Sequence, residues 1–216
     1  MQVSGSYDDD DYALVRGLIA PEVAARLLEQ IQREIEARGQ SFRSLARPHP
    51  LVRKASVELS GHMLPALLAF LWGLTPTVSR LAGRDLLPSY DYFRIYAEGD
   101  VCRVHADRPS CEHSMSLTLA YADSLPWPLE LGSAQQDGTP GPLADDFGDE
   151  PFASLAMQPG DAVLYRGVRL RHGRTRPNPN RWSAHLFMHW VERDGPYADH
   201  AFDAARIAEQ TKRSGA

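Results

Sequence analysis

The 216-residue chain has only two cysteines, Cys102 and Cys111. Two thiols make no disulfide framework, so the expected setting is a reducing compartment, with the cytoplasm as the default. Long apolar runs are missing as well. The longest, around Leu64 to Leu74, is interrupted by Pro65 and Gly73 and is too short to span a bilayer. The first residues lack the basic and apolar segments of a secretory leader. There is no excess of positive charge: 23 Lys and Arg against 28 Asp and Glu give a net charge of −5. Neither nucleic acid nor an anionic membrane is therefore an expected partner. No glycine-rich phosphate loop or dinucleotide fingerprint occurs, which removes nucleotide chemistry as a reading. A hydrophobic content of 43% suits one well-cored domain.

Asp8 to Asp11 reads as a solvated leader. The first strong pattern is helical. Pro21 and Glu22 suit a first turn, Val23, Leu27, Ile31 and Ile35 recur every four residues, and Gly39 suits the stop. A second helix is predicted over about 61–74. From Tyr90 onward the texture becomes strand-like. Tyr92, Phe93, Ile95 and Tyr96 precede a Glu98-Gly99-Asp100 turn, and Ser116 to Leu119 alternates. Pro159-Gly160-Asp161 turns into Ala162 to Tyr165. Over Ser183 to Trp190, residues Ala184, Leu186, Met188 and Trp190 share one face, with His185, Phe187 and His189 on the other. Residues 132–150 read as a long surface loop, and the tail from Phe202 as a short helix. Helices followed by short strands predict a single α+β domain: helical support over 1–89, a barrel core over 90–193 with a loop at 124–154, and a tail over 194–216.

The chemistry centres on His105-Ala106-Asp107 and the distant His172. On a strand, residues i and i+2 point to the same side, so one imidazole and one carboxylate reach a common point. A rolled sheet brings the second imidazole to it. Two histidines and one carboxylate suit iron(II) and leave positions open for an oxygenase.

Around these ligands stand Tyr96-x-x-Gly99, the run Pro159-Gly160-Asp161-Ala162-Val163-Leu164-Tyr165, and the opening segment Leu14 to Glu22. In these features the chain resembles the iron(II)- and 2-oxoglutarate-dependent oxygenases, most closely the prolyl-4-hydroxylase-like bacterial members, over most of its length. The resemblance implies a double-stranded β-helix, a jelly-roll barrel flanked by N-terminal helices. It implies Fe(II) on His105, Asp107 and His172, 2-oxoglutarate as cosubstrate, and O2 as oxidant. The implied reaction hydroxylates an unactivated C–H bond of an amino acid, a peptidyl residue or a small metabolite, releasing succinate and CO2. It also places a basic residue after the distal histidine on the far carboxylate of 2-oxoglutarate. Arg181 stands there, with Ser183 beside it and Arg103 and Arg108 as competitors. Where many members carry a cosubstrate-contacting tyrosine three residues before the first histidine, this chain has Cys102, and Tyr92 and Tyr96 become the substitutes. Two other readings are a metal-dependent cupin-type dioxygenase without 2-oxoglutarate and a non-catalytic barrel.

Other residues carry two readings each. His185, at the site or simply packed, cannot share an ion with His189, about 13 Å away at strand spacing. His113 faces the pocket or is structural, and His49, His62 and His200 are read as surface or structural. Arg169, Arg171, Arg174 and Arg176 form a solvated loop or a basic rim, and Trp127 is a pocket wall or a loop anchor.

Overall fold

The computed structural model describes residues 1–136 and 141–204. Among the described residues, strands β1 (Gln2–Ser4), β2 (Tyr12–Arg16), β3 (Val57–Ser60), β4 (Leu86–Ala97), β5 (Cys102–His105), β6 (His113–Tyr121), β7 (Leu129–Gln135), β8 (Phe152–Leu155), β9 (Ala162–Tyr165), β10 (Leu170–Arg174) and β11 (Trp182–Glu192) form two antiparallel sheets. The major sheet runs β1-β2-β9-β6-β11-β4-β3 and the minor sheet β5-β10-β7-β8. From β4 onward the chain crosses repeatedly between the two sheets, apart from the β7–β8 pair within the minor sheet, as in a jelly roll. The helices are α1 (Tyr7–Asp10), α2 (Pro21–Glu36), α3 (Phe42–Leu45) and α4 (Pro65–Ala82).

The alternation on β11 divides the molecule. Ala184, Leu186, Met188 and Trp190 join Met115, Leu117 and Leu119 of β6 in the main core, against Ala24, Ile31 and Ile35 of α2 and Leu67, Leu71 and Val78 of α4. Trp190 also donates from Nε1 to Thr75 Oγ1 of α4, at 2.9 Å. The opposite faces of these strands look into the barrel, where smaller clusters join the two sheets. Leu14, Val163 and Tyr165 meet Leu129 and Leu131; Tyr96, Tyr121 and Phe187 meet Cys102 and Trp127.

Several expectations need correction. Val23 is exposed, and Ala24 takes its place on the buried stripe of α2. The second helix runs on to Ala82 through Pro76, because its apolar face is held by the sheet even where proline removes a backbone donor. Residues 1–89 are not merely helical support, since β1, β2 and β3 all join the major sheet. The expected loop 124–154 carries strand within it, where β7 pairs with β8 and Leu131 faces Ala153. The expected tail helix falls largely outside the described residues.

The Pro159-Gly160-Asp161 turn needs its glycine. Gly160 has φ +90°, and a Cβ on it would lie 2.4 Å from the Ile19 carbonyl oxygen. Asp161 then ties the turn to the end of β2, accepting from Gly17 N at 2.8 Å and Arg16 Nη1 at 2.7 Å. No helix among the described residues is long and apolar enough to cross a membrane.

Leu186→Ala should lower the unfolding free energy by about 2–5 kcal/mol, as buried leucine truncations do. Val23→Ala should change it by less than about 0.5 kcal/mol. Urea unfolding midpoints at constant m-value check both.

Candidate metal centre

β5 and β10 pair with His105 opposite His172, and their ring centroids lie 4.3 Å apart. Asp107 follows β5, fixed by a backbone bond from its N–H to the Gly167 carbonyl at 2.9 Å. Its Oδ1 lies 3.7 Å from His105 Nε2 and 3.6 Å from His172 Nε2. One ligand atom from each residue falls within 4.8 Å of the other two, close enough to share an ion. Backbone carbonyls set both imidazoles: His105 Nδ1 meets Arg103 O at 2.8 Å and His172 Nδ1 meets Leu170 O at 3.0 Å. Only a protonated Nδ1 bonds a carbonyl, so each Nε2 carries the lone pair a metal needs. Burial, reinforced by His172, lowers the His105 pKa to about 4. Burial works to raise that of Asp107, but His172, His189 and His105 outweigh it and hold the carboxyl well below the usual range. Two imidazoles whose Nδ1 atoms are held by backbone carbonyls, with a carboxylate between them, are the donor set that iron(II) takes.

Deeper between the sheets the barrel is polar. Arg174 lies two residues beyond His172 on the same strand and is 1% exposed. Its guanidinium sits over the Trp127 ring at 5.1 Å, and Nη2 lies 3.4 Å from His185 Nδ1. No ion pair to a carboxylate is seen for it among the described residues, and Nε has no hydrogen-bond partner. Ser116 Oγ and His185 Nε2 are buried without partners too. Burial, with Arg174 and Arg94, depresses the His185 pKa well below its ordinary value. Arg94 on β4 is equally buried but is neutralised by Glu58 and bonds Tyr96 Oη at 3.2 Å. A buried cation among unpaired donors is costly unless an anion joins it. The cradle therefore fits a carboxylate.

The other expected residues take varied places. Tyr92 is half-buried on the inner face of β4 and stacks on Phe187. Tyr96 lies deeper, edge-on to Trp127. Ser183 faces inward, and its Oγ accepts from Asn178 Nδ2 at 3.2 Å. Arg181 is not in the barrel. Its side chain is 71% exposed and bound to Asp123 at 2.9 Å, in a groove with Leu28, Phe42 and Ile95. It precedes β11, whose inward positions begin at Ser183. Arg103 and Arg108 are likewise engaged, with Asp145 and Asp203. The basic rim dissolves: Arg169 bonds Asp11, Arg171 bonds Glu150, Arg176 is exposed and Arg174 is internal. Sequence reasoning left Arg174 in a solvated loop or a basic rim, although its i, i+2 relation to His172 was the available signal.

Glu112, His113 and Glu192 form another group of potential ligands. Arg84 and Arg166 approach the same Glu192 oxygen at 3.5 and 3.8 Å, so its charge is already balanced and the group reads as an ion network.

No protein-family model matches the chain, and no curated protein matches it in sequence. Solved structures do match. The non-heme α-ketoglutarate-dependent carbocyclase SnoK from nogalamycin biosynthesis aligns over 94% of this chain and 87% of its own, with TM-score 0.70 and 10% identity. HygX from Streptomyces hygroscopicus, crystallised with nickel, 2-oxoglutarate and hygromycin B, aligns over 87% and 85%, with TM-score 0.64 and 12% identity. A Pseudomonas putida prolyl-4-hydroxylase aligns over 85% and 94%, with TM-score 0.57 and 13% identity. The fold is that of the iron(II)- and 2-oxoglutarate-dependent oxygenases. Within this oxygenase fold the His105-Asp107-His172 cluster lies at the meeting of β5 and β10.

Gly167 is essential to the centre. A Cβ there would lie 2.3 Å from Asp107 Oδ2, 2.5 Å from Ser114 Oγ and 2.6 Å from the Cys111 carbonyl oxygen. Gly167→Ala should therefore weaken metal binding at least tenfold while the fold persists, as checked by metal titration alongside far-UV circular dichroism.

Stability should fall in acid. His105 and His189 have pKa values lowered to about 4 and His113 to about 3, each chiefly by burial, against about 6.5 unfolded. Between pH 6.5 and 4 the unfolded chain binds these protons and the folded chain does not, so stability drops as pH falls. Asp91, raised to about 7 by burial, opposes this with one proton. His185, depressed well below its ordinary value by burial and by Arg174 and Arg94, acts with the other histidines, which therefore prevail. At about 1.4 kcal/mol per pH unit per net proton, metal-free protein should lose several degrees in Tm between pH 6.5 and 5, read by calorimetry.

Proposed function

We propose that the protein is an iron(II)- and 2-oxoglutarate-dependent oxygenase that hydroxylates a C–H bond of a small molecule, with release of succinate and CO2. The observation that carries this reading is the sequence of groups along β10: a metal ligand at His172, then an unneutralised buried guanidinium at Arg174 on the same face, pointing to a metal-chelating dianion lying between the sheets. 2-Oxoglutarate has that form. HygX, of the same fold, was crystallised with hygromycin B, which favours a small molecule over a peptidyl substrate.

In this reading His105, Asp107 and His172 hold iron(II), which supplies the reactivity toward dioxygen. Arg174 binds the far carboxylate of 2-oxoglutarate through charge-assisted hydrogen bonds. His185 and Thr118, within 3.3 Å of each other, flank that carboxylate. Trp127, Tyr96 and Tyr121 close the inner end and keep water from it. Tyr90 and Tyr92, half-buried where the ligands are also partly accessible, form the wall that orients the substrate carbon.

Anaerobic protein with Fe(II) and 2-oxoglutarate should develop the weak visible charge-transfer band of the chelate, and Asp107→Ala should bind no iron. Arg174→Gln should raise the Kd for 2-oxoglutarate by 10-fold or more, from the loss of about 1.5–3 kcal/mol of charged hydrogen bonding. Arg181→Ala should leave it within twofold. An iron-loaded, folded protein without the band would exclude cosubstrate chelation. The reverse ranking of the two arginine variants would return the carboxylate to Arg181.

A further inference from the structure

Asp107 uses its two carboxylate oxygens differently. Oδ1 faces both histidine Nε2 atoms, at 3.7 and 3.6 Å. Oδ2 lies 3.0 Å from Ser114 Oγ on β6. Ser114 Oγ is also 2.8 Å from His189 Nδ1 on β11 and 3.2 Å from the Cys111 carbonyl. One assignment of protons makes both Ser114 contacts, to Asp107 and to His189, hydrogen bonds at once. The carboxylate and the carbonyl only accept, so the serine proton goes to one of them, and Asp107 Oδ2 is the nearer. Ser114 then accepts from His189, whose Nδ1 must carry hydrogen. The His189 ring is fixed by stacking on Tyr90, with centroids 4.5 Å apart and planes 26° apart. The pairing of β6 with β11 puts Ser114 opposite His189, so the relay stands on the rigid sheet rather than on a loop.

We infer that His189 and Ser114 are positioning residues: a His189→Ser114→Asp107 hydrogen-bond relay ties up Oδ2, so that Asp107 meets the metal through Oδ1 alone. A carboxylate free of this tie swings to offer both oxygens and consumes a coordination position that a chelating cosubstrate needs. The inference rests on the metal-site reading above and adds to it two residues outside the His105-Asp107-His172 triad. Both are fully buried and come from strands other than those bearing the ligands.

The test is Co(II) binding to the full chain, followed by its d–d absorption, with no turnover required. Wild type against Asp107→Ala first establishes whether the cluster binds metal at all. If wild type binds no Co(II), the metal-site reading fails, and this inference with it. Given binding, Ser114→Ala and His189→Phe, which keeps the stacked ring but removes the donor, should each weaken it 10- to 100-fold and alter the band shape and intensity that report coordination number. His189→Asn carries an amide N–H near the Nδ1 position and should restore most of both; His189→Gln, whose amide reaches toward Nε2, should not. Should Ser114→Ala fail to fold, Ser114→Thr, which keeps the hydroxyl, together with the three His189 variants gives the same discrimination. Wild-type affinity and an unchanged spectrum in His189→Phe, or equal behaviour of the Asn and Gln variants, would overturn the relay.

Discussion

The antiparallel pairing of β5 with β10 puts His105 opposite His172, and the site depends on that register. Moving one strand by a single residue would turn one imidazole to the far face of the sheet. The pairing lies in the small four-stranded sheet, whose outer strand β5 is held by two extra bridges, Val52 to Cys102 and Ala144 to Val104. Segments that read as irregular loops therefore stiffen the edge strand that carries His105. Asp107 is set by a different element, the turn at Gly167, so three pieces of chain meet at one point without any single one being strained.

Polar groups in the barrel interior are not scattered. Thr118, His185 and Arg174 lie at one depth, and Ser114, His189 and Asp107 at another. Between them the aromatic rings of Tyr92 and Phe187 stack at 4.8 Å. The first group carries excess positive charge and unpaired donors, the second a carboxylate already bonded. An elongated ligand with a chelating head and a distal anion matches this spacing of charge, whereas a neutral apolar ligand would leave the guanidinium unsatisfied in a low-dielectric interior.

The candidate ligand triad and the alternation on β11 were legible because both draw on one rule, that side chains two apart on a strand share a face. The same rule, applied from His172, points to Arg174. Proximity to β11 pointed instead to Arg181, which stands one residue ahead of Trp182 and turns outward to Asp123. Arg94 and Ser114 lay beyond sequence reasoning altogether. Each reaches the interior by lateral pairing between strands distant in the chain, Arg94 opposite His185 and Ser114 opposite His189, and nothing local to either residue announces the partner. The long α4 was underestimated for a related reason: Pro76 weakens a local helical pattern, and packing of Leu71 and Val78 on the sheet overrides it.

The parity of the central strands also separates stability from chemistry. On β6, Met115, Leu117 and Leu119 face the helices, while Ser114, Ser116 and Thr118 face the barrel; on β11, the even positions 184 to 190 face the helices and His185 and His189 the barrel. The helix-facing layer is almost wholly apolar, so it supplies the hydrophobic burial that holds the domain together. The barrel-facing layer contains several buried polar atoms without partners, each a cost that burial on the other side must offset. A ligand that satisfies those atoms binds only the folded state and so stabilises it by mass action. Conversely, replacing the inner polar residues with apolar ones of similar volume would relieve that cost and strengthen the metal-free fold while removing the site. The inner face is thus kept polar at the expense of folding stability, as expected where a barrel is shaped around a charged ligand rather than around its own core.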